Sequence, residues 1–142
     1  MSAEPVEILL VEDNDADAEL TIRALRKRDL ANHIRRLTNG AEALEFFFGN
    51  AGSVPRPRVV LLDIKMPKVD GLQVLRALRE REETRTVPVV VLTSSAEDPD
   101  LRAAYALGAN SYIVKPVDFE KFTAAVGKLG LYWLLLNERP PA

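Results

Sequence analysis

Short apolar runs alternate with segments of helical periodicity along most of this chain, and this alternation limits the possible folds more than any other feature. The strand candidates are residues 6–11, 33–37, 59–63, 87–93 and 111–116. The sequence therefore predicts an α/β domain with a parallel sheet of five strands. The first, third and fourth runs are apolar on both faces, as a sheet covered by helices on both sides requires. The second is weaker and favours an edge position.

The segments between these runs predict helices with defined starts and inward faces. Asn39 and Asp118 are placed as N-caps of the helices that follow them. In the first helix, Ala16, Leu20 and Ala24 recur every four residues and are expected to face the core. The other expected core positions are Leu72, Leu75 and Leu78 in the third helix and Phe119, Phe122 and Val126 in the last.

Polar residues stand where four of the five apolar runs end. The first run leads into Glu12 and Asp13, the third into Asp63, the fourth into Thr93 and the fifth into Lys115. The carboxyl ends of parallel strands meet at one edge of the sheet, where open α/β folds bind ligands. Three acids, a hydroxyl and an ammonium group are therefore predicted to share one pocket.

The chemistry of that pocket follows from its charges. Three carboxylates packed together repel one another unless one is protonated or a cation is present. Oxygen ligands without histidine or cysteine favour a hard ion, and Mg²⁺ is preferred because it needs few protein ligands. A carboxylate such as Asp63, beside Mg²⁺ and Lys115, is well placed to attack a phosphorus atom, with Thr93 and Lys115 stabilising the phosphoryl oxygens.

Composition excludes several other classes of protein. The length of 142 residues fits one domain, and a net charge of −2 does not favour nucleic acid. The chain has no cysteine and only one histidine, His33, so thiolate and multi-histidine metal centres are excluded. No phosphate-binding loop of the GxxxxGKS kind is present. Because the apolar stretches are too short for a signal peptide or a membrane span, a cytoplasmic protein without membrane contact is expected.

Four motifs together resemble the receiver domain of bacterial two-component response regulators. They are "LLVEDN", "LLDIKMPKVDG", "VVVLTSS" and "YIVKPVDF", in this order and at suitable spacing. The resemblance implies a flavodoxin-like, doubly wound (βα)5 fold with strand order 2-1-3-4-5, and a receiver domain over residues 1–129. It also implies a phosphoacceptor rather than a conventional enzyme.

The resemblance assigns a phosphorylation site and a metal site. Asp63 would accept a phosphoryl group from a histidine kinase. Glu12, Asp13 and Asp63 would hold Mg²⁺, together with the main-chain carbonyl of Lys65. Glu12 stands where many receivers have aspartate, which favours contact with the metal through water. Lys65 is a bulky cation two residues after the phosphoacceptor and could shield the acyl phosphate from water.

The resemblance also assigns a switch. Thr93 would move onto the phosphoryl group, Tyr112 would rotate inward behind it, and Lys115 would pair with a phosphoryl oxygen. The Lys115–Pro116 peptide bond is expected to be cis. One alternative function is a degenerate receiver-like scaffold that binds partners without phosphorylation. A phosphatase of the Asp-x-Asp type is disfavoured, because Lys65 replaces its second acid.

Residues 130–142 form an apolar extension in which no output domain is recognised, so the output is expected to be contact with a downstream protein. One interpretation is a homodimer joined through the last helix and this extension, by way of Leu131, Tyr132, Trp133 and Leu135. The alternative is that the extension folds back onto its own domain. Together with "VEDNDAD" and "KPVDFEKF", the extension is similar to stand-alone receivers that pair with bacterial phytochrome kinases.

Overall fold

A computed structural model describes residues 6–26, 34–49 and 54–131 of the chain. No helix in these three segments is long and apolar enough to span a bilayer. The elements alternate strictly between strand and helix: β1 (Ile8–Val11), α1 (Asp15–Arg26), β2 (Ile34–Leu37), α2 (Gly40–Phe48), β3 (Val59–Asp63), α3 (Gly71–Glu80), β4 (Val89–Thr93), α4 (Asp100–Ala106), β5 (Ser111–Val114) and α5 (Phe119–Lys128).

The five strands form one parallel sheet in the order β2-β1-β3-β4-β5. In the register, Leu10 of β1 lies between Arg36 of β2 and Leu61 of β3. Both the predicted fold and the edge position of β2 are confirmed. β1 and β4 each begin two residues later than the sequence predicts, at Ile8 and Val89.

Two apolar cores cover the two faces of the sheet. Alternate residues point to opposite faces of a strand, so Leu9 of β1 packs with α2, α3 and α4, whereas Leu10 packs with α1 and α5. Every residue of β1, β3 and β4 is buried. This burial on both faces is the reason that these strands read as continuous apolar runs. Phe47 and Phe122 are the largest fully buried side chains of the two cores.

The inward face of α1 differs from the predicted one. Leu20 is 53% exposed, and the residues that face the core are Ala18, Thr21 and Leu25. Ile22 packs beside them. A helix buries the stripe that covers the most apolar surface, and the stripe with Ile22 and Leu25 is larger than one with two alanines. The four-residue spacing of Ala16, Leu20 and Ala24 was therefore a misleading signal.

The predicted N-caps are confirmed. The side chain of Asn39 accepts a hydrogen bond from the backbone N–H of Glu42, and that of Asp118 accepts one from Lys121, both at 2.8 Å. Phe122 and Val126 are buried as expected, and Phe119 is partly buried against the same core.

The start of the C-terminal extension packs on its own domain. The N–H of Leu131 donates to the carbonyl of Val126 at 3.0 Å, and the Leu131 side chain lies against the core beneath α5. For this residue the contact agrees with the alternative that the extension folds back. Tyr132, Trp133 and Leu135 lie outside the described residues.

Gly71 holds the first turn of α3 against the end of β3. Its N–H donates to the carbonyl of Ile64 at 2.9 Å. A β-carbon at this position would collide with the main-chain carbonyl oxygen of Asp63 and would lie 2.8 Å from the α-carbon of Ile64. Because both obstacles are backbone atoms, only glycine allows this approach. The contact fixes the backbone that carries Asp63.

Replacement of Gly71 by alanine should therefore destabilise the protein. Glycine to alanine at an unobstructed helix position stabilises by about 1 kcal/mol. At Gly71 the added methyl group overpacks against backbone, and we expect a loss of about 1–3 kcal/mol in the free energy of unfolding, measured by urea denaturation. An unchanged or increased stability would show that the backbone can move aside at no cost.

Candidate acidic site at the carboxyl edge of the sheet

The predicted polar residues meet in one cavity at the carboxyl edge of the sheet. The cavity has a volume of about 210 Å³ and is lined by Asp13, Asp63, Thr93 and Lys115, among others. Each of these side chains comes from the end of a different strand: β1, β3, β4 and β5. The sheet order places β1 and β4 on either side of β3, so that Asp63 lies in the middle of the group.

Three carboxylates form a cluster suited to a cation. Glu12, Asp13 and Asp63 each offer an oxygen, and these atoms lie within 4.8 Å of one another. Glu12 and Asp63 are buried, with 1% and 5% exposure, whereas Asp13 is exposed. An all-oxygen set with one side open to solvent fits Mg²⁺, which keeps part of its water shell. The residues present therefore fit the predicted magnesium site.

Lys115 neutralises part of this negative charge. Its ammonium nitrogen lies 2.7 Å from Glu12 Oε1, 3.2 Å from Asp63 Oδ2 and 3.3 Å from Asp17 Oδ2. Burial disfavours the charged ammonium, but the bond to Glu12 and the charge of Asp63 outweigh burial and raise the pKa of Lys115 above its ordinary value. Asp17 was not among the predicted site residues. It lies in the first turn of α1, shortly after the acidic pair that ends β1, and this nearness in the sequence is the signal that could have placed it here.

Asp63 titrates close to neutral pH. Burial is the main cause that raises its pKa to about 7, and a hydrogen bond and the charge of Glu12 add to the effect, while Lys115 opposes it. The backbone N–H of Lys65 also donates to Asp63 Oδ1 at 3.2 Å. This bond places the loop after β3 beside the phosphoacceptor candidate. The role of the Lys65 carbonyl as a metal ligand stays a prediction.

Thr93 is bonded to a residue that the sequence reasoning missed. Its hydroxyl lies 3.0 Å from the carbonyl oxygen of Ser95 and 3.1 Å from Oδ2 of Asp98, a buried carboxylate. The same Oδ2 lies 3.4 Å from the ammonium of Lys65. In the sequence, Asp98 stands among several polar residues of a loop, and no periodicity indicates that it is buried.

Arg36 is a second residue that the sequence reasoning missed. It lies on the edge strand β2, and its guanidinium donates two hydrogen bonds, of 2.8 and 3.1 Å, to the main-chain carbonyl of Glu12. It also forms an ion pair of 2.8 Å with Asp15. Since Glu12 follows directly after β1, these bonds fix the backbone between the sheet and the acidic cluster.

Tyr112 and Pro116 complete the predicted set. Tyr112 is 38% exposed, and its ring meets that of Tyr105 on α4 edge-to-face, with 6.3 Å between the centroids. The ring is therefore partly in solvent. The predicted cis bond between Lys115 and Pro116 is confirmed.

Two acids follow β1 of this fold, an aspartate ends β3, a threonine ends β4 and a lysine follows β5. This combination defines the receiver class of signalling domain. Residues 8–127 match the family model described as the response regulator receiver domain. The chain belongs to this family, and it is thus a response-regulator domain rather than a conventional enzyme.

Several relatives are similar over nearly their whole length. The probable methanogenesis regulatory protein FilR2 of Methanothrix harundinacea is 44% identical over 138 residues, which are 96% of this chain and 89% of that protein. The solved structure of the bacteriophytochrome response regulator AtBRR is 47% identical, with a TM-score of 0.80 and coverage of 96% and 100%. The Mn²⁺-bound form of the response regulator Rcp1, known from Synechocystis, is 33% identical, with a TM-score of 0.73 and coverage of 97% and 100%.

The pKa of Asp63 predicts a pH-dependent stability in the absence of divalent cations. Between pH 3.8 and about 7, the folded state retains a proton that the unfolded chain has released. Rising pH therefore removes stability, by at most about 1.4 kcal/mol per pH unit. As the pH rises through this range, we expect Asp63→Asn to become increasingly stable relative to the wild type. Above about pH 7 the difference in the free energy of unfolding between the two proteins should be constant.

Urea denaturation in the presence of a chelator, at several pH values, measures this difference. Glu97→Gln, which replaces an exposed acid on the loop after β4, is the matched control and should follow the wild type. Mg²⁺ added at pH 8 should reduce the advantage of Asp63→Asn, because the cation stabilises the ionised cluster. A difference between the two proteins that does not change with pH would contradict the raised pKa of Asp63.

Proposed function

We propose that this domain accepts a phosphoryl group on Asp63 from a histidine kinase, in a reaction that depends on Mg²⁺. The observation that carries the proposal is the position of Asp63. Its buried carboxylate shares a pocket with two further acids, within 4.8 Å, and with the ammonium of Lys115 at 3.2 Å. Such a pocket can bind a cation and a phosphoryl group together.

In the proposed reaction, a carboxylate oxygen of Asp63 attacks the phosphorus atom of a phosphohistidine. The new O–P bond forms as the N–P bond breaks, and the kinase imidazole leaves with the electron pair of that bond. Mg²⁺ held by Glu12, Asp13 and Asp63, with the expected carbonyl of Lys65, would supply charge neutralisation at the phosphoryl oxygens. Lys115 is already oriented towards Asp63 and would stabilise the same oxygens. Once a bound cation keeps Asp63 ionised, its carboxylate can attack without a general base.

The proposed output is a change in the surface formed by α4, β5 and α5. A phosphoryl group adds roughly −1.5 to −2 charge and new acceptors for hydrogen bonds. Thr93 would turn towards it, and Tyr112, which is partly exposed beside Tyr105, would move inward. A downstream protein would recognise the changed surface, since an added group shifts populations through its different interactions with the two states.

We further propose that the partner kinase is a bacteriophytochrome. The support is the similarity to AtBRR, which is described as a bacteriophytochrome response regulator, over 96% of this chain. The similarity to FilR2, of a different regulatory system, makes a non-phytochrome kinase the alternative outcome of the test.

Incubation with acetyl phosphate and Mg²⁺ should add one phosphoryl group to the intact protein, detected by mass spectrometry. Asp63→Asn should abolish the addition, because the amide cannot serve as the nucleophile. Lys115→Met should slow it by about 10²-fold or more, because the oxyanion loses its charged partner. A second arm replaces acetyl phosphate with an autophosphorylated bacteriophytochrome kinase and, in parallel, with a histidine kinase that is not light-sensing.

Two results would decide against this proposal. Unmodified wild-type protein under conditions in which Mg²⁺ binds would favour the scaffold function, in which partners bind without phosphorylation. Equal transfer of the phosphoryl group from both kinases would contradict the assignment of a bacteriophytochrome as the partner, but it would still support phosphorylation of Asp63. Asp118→Asn keeps the helix cap and removes one acidic group away from the site, so it controls for general effects of charge.

We also propose that residues 130–142 extend the receiver domain and join two copies in a homodimer through the last helix. The extension is rich in large apolar residues, and interfaces between copies of one chain are more apolar than the rest of a protein surface. Leu131 packs on its own core, so the proposed contact depends on Tyr132, Trp133 and Leu135.

The triple variant Tyr132→Ser, Trp133→Ser, Leu135→Ser is expected to convert a dimer into a monomer in sedimentation equilibrium, because it removes the apolar contact area. Leu131 is retained to preserve the core beneath α5. The matched control is Leu20→Ser, which removes an exposed apolar side chain from α1 and should leave the dimer unchanged. A wild-type protein that sediments as a monomer at every concentration would refute the dimer.

A further inference from the structure

Asp98 is a buried carboxylate that has no place in the reaction described above. It lies between β4 and α4, and its side chain is 3% exposed. Oδ1 accepts a hydrogen bond of 2.9 Å from the N–H of Asp100, at the start of α4. Oδ2 lies within 3.1 Å of the Thr93 hydroxyl and 3.4 Å of the Lys65 ammonium. Asp98 thus contacts two residues that border the proposed phosphorylation site.

The bond between Thr93 and Asp98 uses the only proton that the hydroxyl can donate. The acceptors within reach are the carbonyl of Ser95 and the carboxylate of Asp98. An ionised acceptor makes the stronger hydrogen bond. The three groups around the Asp98 carboxyl keep it ionised, and its pKa is lowered mainly by the N–H of Asp100 and further by Thr93 and Lys65, against the effect of burial. The Thr93 hydroxyl must therefore leave Asp98 before it can donate to a phosphoryl oxygen.

Lys65 is held in the same way. Its backbone N–H donates to Asp63 Oδ1, so the residue is already adjacent to the proposed phosphoacceptor. The Lys65 side chain is 64% exposed, yet its ammonium approaches the buried carboxylate of Asp98. A phosphoryl group on Asp63 would introduce a second anion near this ammonium.

We propose that Asp98 is a positioning residue that holds Thr93 and Lys65 in the unphosphorylated arrangement, and that it competes for both with the phosphoryl group. The inference rests on the proposed phosphorylation of Asp63. When the hydroxyl and the ammonium move to the phosphoryl oxygens, Asp98 is left as a buried anion with one remaining partner, the N–H of Asp100. An anion without partners is costly to bury, so the loop that carries Asp98 shifts towards water and moves the start of α4 with it.

The test measures the binding of beryllofluoride, a phosphoryl mimic, to the full chain with Mg²⁺ by amide NMR titration. Asp98→Asn keeps the shape of the side chain and an oxygen for the N–H of Asp100, but it removes the charge that attracts Thr93 and Lys65. We expect roughly ten-fold tighter binding of beryllofluoride, the equivalent of one lost charged hydrogen bond in the free state. Unchanged or weaker binding would overturn the inference.

A second variant and a control separate positioning from general effects. Asp98→Ser retains a side-chain oxygen that can accept from the N–H of Asp100 but withdraws the carboxylate, and it should also tighten the binding of beryllofluoride. Glu97→Gln removes one negative charge from an exposed position in the same loop and should leave the affinity within about two-fold of the wild type.

A double-mutant comparison identifies the residues through which Asp98 acts. In the background Thr93→Val, Lys65→Met, the gain from Asp98→Asn should disappear, because neither of these side chains can donate a hydrogen bond to Asp98. An undiminished gain in that background would mean that the charge of Asp98 merely repels the anion, and it would overturn the positioning role. If the wild type and the Asp98 variants bind beryllofluoride equally well, the positioning role of Asp98 is refuted, while the proposed phosphorylation of Asp63 is still supported. If no protein binds beryllofluoride, the proposed function fails and the inference fails with it.

Discussion

The site depends on the ammonium group of Lys115. Glu12 and Asp63 are buried within reach of each other, and two buried carboxylates without a cation would repel strongly. Lys115 approaches both, at 2.7 and 3.2 Å, and so permits them to share one pocket in the absence of metal. The pKa of Asp63 is nevertheless raised to about 7, mainly by burial and further by Glu12. Three carboxylates around one lysine still leave an acidic cluster that fits a divalent cation.

The fold and the centre of the site were predictable from the sequence because they depend on a pattern that is local in the chain. A strand buried on both faces reads as an apolar run, and the residue that ends it must lie at the carboxyl edge, so Asp63, Thr93 and Lys115 could be placed. The inward face of α1 was predicted wrongly, because periodicity alone does not show which of two overlapping stripes buries more apolar surface.

Three residues of the site were not predicted from the sequence. Two of them make contacts with residues that are distant in the chain, and the third lies in an irregular loop. Asp17 meets Lys115 from the opposite end of the sequence, and Arg36 reaches Glu12 from the neighbouring strand. Asp98 lies in a loop, where burial follows no period. Such contacts depend on the tertiary structure, and the type of one residue does not predict which residue it will contact.

The two sides of Asp63 differ in rigidity. The side towards α3 is fixed by the close contact between Gly71 and Asp63, and the side towards α4 is adjustable. On the α3 side, the backbone of Gly71 packs directly against the backbone of Asp63 and Ile64. The Asp63 backbone could move in this direction only if helix α3 moved as well. On the α4 side, Thr93 and Asp98 are joined by side-chain bonds that can be exchanged for others. If Asp63 is phosphorylated as proposed, the resulting shift would therefore be directed towards α4 and β5, because Gly71 keeps the α3 side in place.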